Sequence, residues 1–174
     1  SLYVIHGNTS ITREYIADYT RRGHTISVHP DLLSTAKLPP QEQLARAEQE
    51  VRAFKEKFGQ PVRTLRNHHY MWPGYVDLPE VWERLGVGMD ANTTATLYGM
   101  SLASGPYVNI HSAVPLRFVR QDGSLIDVFQ QPTHINDDII SHPSKPASEK
   151  YTPDQWDWIV ERMLDDSTRY FHGP

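Results

Sequence analysis

The chain has 174 residues, 17 Lys plus Arg against 21 Asp plus Glu, and a formal net charge of −4 at pH 7. That balance offers no basic stripe for nucleic acid, and no run approaches the roughly 18 apolar residues that span a bilayer. With no cysteine, disulfides and thiolate chemistry are excluded, and any metal must be held by carboxylates and the nine His.

Four short apolar runs in the first half each break off into polar side chains. Residues 2–5 end at His6, 25–28 at His29 and Asp31, 62–65 at Arg66 and His69, and 87–89 at Asp90. Helical periodicity fills the gaps. Residues 11–22 place Ile11, Tyr15, Ile16 and Tyr19 on one side and stop at Gly23. Residues 41–58 carry Leu44, Ala47, Val51, Phe54 and Phe58 at 3-4-3-4 spacing, with Gly59 and Pro61 as terminators. A third, short helix is read with Asp77 as cap, Glu80 completing a capping box, and Val81, Trp82 and Leu85 as its buried stripe. The order β-α-β-α-β-α-β predicts an α/β fold with a parallel sheet, whose post-strand loops collect on one edge.

Beyond Asp90 the rhythm fails, and 91–150 reads as an irregular region within a single domain of 174 residues. It contains a hairpin at 116–131, with Asp122-Gly123 expected to form a type I′ turn. A last helix starts with Thr152 as cap and Pro153 at its first position, and Trp156, Ile159, Val160, Met163 and Leu164 form its apolar face. Four parallel strands are too few for a barrel of eight, which takes about 250 residues. An open sheet and a portion of a larger barrel both remain open on this reading.

Several strand-end residues can carry chemistry. His29 is a rigidly placed nitrogen ligand, and Asp31 two residues on could add a carboxylate or orient the ring. Either His68 or His69 faces the same edge, since neighbours on an extended chain point opposite ways. Two imidazoles, a carboxylate and a water would match the catalytic zinc pattern, which activates water and polarises carbonyls. Arg66 suits a bidentate clamp on a carboxylate. Tyr70, Trp72 and Tyr75 lie in a loop, where their rings could stack on sugars or fold into the core. Asp90 and Asn92 end the fourth strand, within reach of a substrate. His134, Asp137 and Asp138 read as a solvated cluster.

At these residues a family resemblance enters. The run Gly23-His24-Thr25-Ile26-Ser27-Val28-His29-Pro30-Asp31-Leu32 resembles the Gly-His-Glu-Ile-Gly-Asn-His motif of polysaccharide deacetylases (NodB homology, carbohydrate esterase family 4). Leu65-Arg66-Asn67-His68-His69-Tyr70 is similar to that family's Arg-Pro-Pro-Tyr type motif. Leu85-Gly86-Val87 looks like its leucine–glycine step into the next strand, and the 115–133 run is similar to an insertion in a divergent branch.

The resemblance implies a distorted parallel (β/α) barrel, here partial and with an inserted hairpin. It also implies a divalent metal, usually zinc, and removal of acetyl groups from N- or O-acetylated glycans outside the cytoplasm, in the cell envelope or beyond. His29 matches the family's first metal histidine, but the second falls at Leu33, so His69 or Asp31 is the expected replacement. Arg66 matches the arginine that orients the base. Asp90 lies near the following motif and is carried as a candidate catalytic group, without the family's Asp-Trp partner. The base and metal aspartates are expected before Leu2 and the late histidine beyond the end, so the remainder of the domain becomes a partner. An inactive carbohydrate-binding relative is the competing expectation, favoured by Leu33. A phosphate-binding open-sheet protein would want a better glycine turn than Gly7-Asn8-Thr9.

Overall fold

A computed structural model describes residues 2–5, 7, 9–93, 114–132, 152–155, 157–158, 160–162 and 165. The chain divides into two compact units, Ser1–Ile135 and Asn136–Pro174. The first is mixed α/β with small parallel sheets.

Its elements follow chain order. Strand β1 (Leu2–Val4) leads through helix α1 (Arg13–Arg21) to β2 (Ile26–Val28), and helix α2 (Pro40–Phe58) leads to β3 (Thr64–Leu65). Helix α3 (Asp77–Arg84) then leads to β4 (Met89–Asp90), with β5 (Phe129–Gln130) last. All ladders are parallel: β1 on β2, β3 on β4, and β4 on β5. Side chains close the gap between the two sheets. The Ser27 hydroxyl donates to the Thr64 carbonyl, and the Tyr3 hydroxyl donates to Thr64 Oγ1 at 3.4 Å.

The helices form where the periodicity places them. Thr12 caps α1 by accepting the Tyr15 amide at 3.2 Å, and Ile16 carries its buried contact. Pro40 opens α2 at the position that needs no amide donor, and Gly59 ends it in the left-handed region at φ 68°. Ala47, Val51, Phe54 and Phe58 are buried beneath it, with Leu44 half-buried. Gln43 is buried too, because its amide donates to the Leu38 carbonyl at 2.8 Å and anchors the preceding loop.

Two expectations for local chemistry are corrected. Asp77 is the first helical residue of α3, and its carboxylate accepts the Tyr75 amide at 3.1 Å instead of capping the helix. Glu80 is therefore no capping-box partner. It pairs with Arg120 at 3.1 Å, while Glu83 takes the other guanidinium nitrogen and accepts the Asp127 amide at 2.7 Å.

The hairpin is present, with antiparallel bridges Leu116↔Gln130 and Val119↔Leu125. Its turn differs from type I′. Gly123 donates to the Arg120 carbonyl at 2.9 Å, and in the turn only Gly123, at φ 86°, is left-handed. A three-residue loop with a glycine bulge results, held by Asp122 accepting from Ser124. The hairpin's returning arm also becomes β5, in register with β4.

Neighbours in register share a face. Leu65, Asp90 and Gln130 lie together on a wholly buried face, while Thr64, Met89 and Phe129 occupy the other, with Phe129 49% exposed. In the second unit Thr152 and Gln155 cap a helical turn reciprocally, side chain to backbone, at 3.3 and 2.8 Å. Val160 there is exposed, and the side chains of Trp156, Ile159, Met163 and Leu164 lie outside the described residues.

Arg120→Ala removes the guanidinium ties between the hairpin and α3, leaving the Asp127 amide on Glu83, and should cost about 1 kcal/mol, since the guanidinium is partly screened by water. Urea unfolding checks this; an unchanged midpoint would show that the hairpin holds without it.

Candidate functional site

The strand ends lie side by side because backbone bonds continue past them. The His29 amide donates to the Val4 carbonyl at 2.8 Å, and the His68 amide donates to the Pro30 carbonyl at 2.8 Å. The Ala91 amide donates to Leu65 at 2.9 Å, and Gln131 to Asp90 at 2.8 Å. The exits of β1 to β5 therefore share one rim.

On that rim His29 Nε2 and His68 Nδ1 are 3.3 Å apart, with the rings edge to face at 5.4 Å between centroids. His69 packs edge-on against His68 at 4.3 Å but is itself exposed. The alternation rule fails here because the chain leaves the extended conformation after Leu65. Residues His68–Tyr70 form a turn with His69 left-handed at φ 56°. That kink aims His68, not His69, at His29.

Both rings are pushed toward the neutral form. Burial, then the positive charge of Arg66, bring His29 down to about 4, while the Arg66 backbone and Asp31 act in the opposite direction. His68 is also lowered, first by burial and next by His69. Neutral imidazoles are the form that binds metal. Asp31 acts electrostatically on both rings, but its Oδ1 accepts the Leu33 amide at 3.2 Å. Among the described residues no three His, Asp or Glu side chains converge tightly enough to surround a metal ion.

Asp90 occupies a different place from that of a substrate-facing group. It is wholly buried, and burial pushes its carboxyl up to about 7. Its Oδ1 accepts the Asn92 amide at 2.9 Å. The Asn92 side-chain oxygen accepts the Asn67 amide, and Asn67 Nδ2 donates to the Met71 carbonyl at 2.9 Å. This chain of bonds runs from the end of β4 to the turn that carries His68. Asp90 and Asn92 thereby tie that turn to the end of β4. Asn67 was not singled out in the sequence, where nothing beyond its place between Arg66 and His68 marks it.

The aromatic residues separate. Trp72 is fully buried, donates from Nε1 to the Tyr75 carbonyl at 3.0 Å and packs on Phe118 at 5.4 Å, so no ring face is left for a sugar. Tyr75 is 66% exposed, edge-on to Phe118. The Tyr70 side chain, and His134, Asp137 and Asp138, lie outside the described residues.

Set beside known proteins, the chain matches no family model, no curated protein and no solved structure. Its chemistry rests on its own residues.

Two outcomes are expected. Asp90 keeps a proton in the folded protein over a pH range, about 4 to 7, where the unfolded chain has lost it. Its contribution is complete at low pH and disappears as pH rises through 7, so Asp90→Asn should gain stability over wild type on going from pH 4 to 8. The gain is on the order of a few kcal/mol. Parallel stability–pH curves for the two proteins would remove Asp90 as a buried acid. Trp72→Ala should cost about 3–5 kcal/mol in thermal or urea unfolding, whereas a ring used only for binding would leave stability nearly unchanged.

Proposed function

We propose that this chain belongs to a metal-dependent hydrolase of the polysaccharide deacetylase type, removing acetyl groups from N- or O-acetylated carbohydrate. The observation that carries the reading is the neutral His29–His68 pair beside Arg66 on the strand-end rim. Loops after parallel strands are where such folds keep their active sites. Strands that follow one another in chain order, with a partly exposed sheet face at Thr64, Met89 and Phe129, fit a segment of a (β/α) barrel.

The two imidazoles on strand ends are nitrogen donors of the kind zinc takes, and Asp31 exerts its charge on both rings. A divalent metal held there would supply activated water and carbonyl polarisation. The chain's own residues do the rest. Arg66 provides a fixed positive charge for a carboxylate or a developing oxyanion. Tyr75, in the same post-strand loop and largely exposed, offers a ring face to a sugar. The substrate is an acetylated glycan met in the cell envelope or outside the cell, and no helix among the described residues is long and apolar enough to cross a membrane.

One observation favours a second reading, an inactive glycan-binding relative. Leu33, where the resembling family has its second metal histidine, sits in the short Leu33–Thr35 turn and packs against the core.

Acetate release from N-acetylglucosamine oligomers separates the two. The hydrolase reading predicts release that a chelator abolishes and zinc restores, with His29→Ala reducing it at least about 100-fold. Oligomer binding without acetate release would assign the relative instead, and neither would refute both.

A further inference from the structure

We infer that His68, through Nδ1, is the second nitrogen ligand of the metal centre, in place of the histidine missing at position 33. The assignment rests on the metal-dependent reading above and is independent of which glycan is cleaved.

The geometry carries it. Two nitrogens on one tetrahedral zinc, each at about 2.0–2.1 Å, stand about 3.3–3.4 Å apart. His29 Nε2 and His68 Nδ1 are separated by 3.3 Å. The two ring planes are 84° apart, with centroids 5.4 Å from each other. His69 is exposed, and its ring packs edge-on against His68.

The placement of His68 is also over-determined. Its amide is held by the Pro30 carbonyl, one residue past His29. Its neighbour Asn67 is wholly buried and bonded at both ends, amide to Asn92 Oδ1 and side chain to the Met71 carbonyl. Its other neighbour, His69, adopts the left-handed backbone that L-residues other than Asn, Asp and Gly seldom occupy. A surface histidine hydrogen-bonded by chance needs none of these. A ligand held to within tenths of an ångström does.

Before metal arrives, one ring nitrogen at the contact carries the proton of the pair's hydrogen bond and the other presents its lone pair. Binding requires that proton to move to the remaining nitrogen of its own ring. Within that ring this is a change of tautomer.

Zinc titration of the whole chain by calorimetry tests the assignment. His29→Ala and His68→Ala should each weaken zinc binding by at least about tenfold, and His69→Ala should leave it unchanged. In wild type, zinc should shift the nitrogen resonances of His29 Nε2 and His68 Nδ1 in the NMR spectrum, a readout that needs no variant to fold. Zinc binding lost in His29→Ala but intact in His68→Ala would overturn this assignment and leave the metal-dependent reading standing. No zinc binding by wild type would overturn both.

Discussion

One backbone hydrogen bond decides where the chemistry can be. The His68 amide donates to the Pro30 carbonyl at 2.8 Å, joining the exit of β3 to the exit of β2 across a boundary that no regular ladder spans. Together with the Ser27 hydroxyl on the Thr64 carbonyl, it holds the two loops side by side, so that His29 and His68, 39 residues apart in the chain, face each other. Asn92 reinforces it from the other side by accepting the Asn67 amide. The turn bearing His68 is thus suspended between β2 and β4.

That suspension has a cost, visible behind the rim. Among the described residues, Asn67 Oδ1 and both amide atoms of Gln130 are buried without a hydrogen-bond partner. Each such group costs about 1–3 kcal/mol when water is lost and nothing replaces it. An apolar layer would hold the strands together more cheaply. Polar groups at these positions make sense where they fix a loop in one conformation, and the chain of bonds from Asp90 to Met71 does that for the loop bearing His68. The raised Asp90 carboxyl is a by-product of the same burial.

Much of the architecture was legible because it rests on periodicity. The α2 stripe and the Gly59 stop follow from 3.6-residue spacing and glycine's tolerance of positive φ, and tertiary packing did not override them. The site was legible only as far as His29 and Arg66, whose strand-end positions are set by the same pattern. The choice between His68 and His69 was not, since it depends on one left-handed residue for which the sequence offers no glycine. For Trp72 the loop position left stacking on a sugar and folding into the core both open, and the loop folds back and buries the indole through its bond to Tyr75. Glu80 had the spacing of a capping box, yet a guanidinium 40 residues away competes for it successfully. Long-range partners of this kind leave no local signature.

Anomalous diffraction at the zinc absorption edge, from crystals of this chain grown with zinc, is the most direct trial of the convergence of the β2 and β3 exits. The account requires a peak at about 2.0–2.1 Å from His29 Nε2 and His68 Nδ1 alike. A peak held by other side chains, or the two imidazoles on separate faces of the molecule, would contradict it.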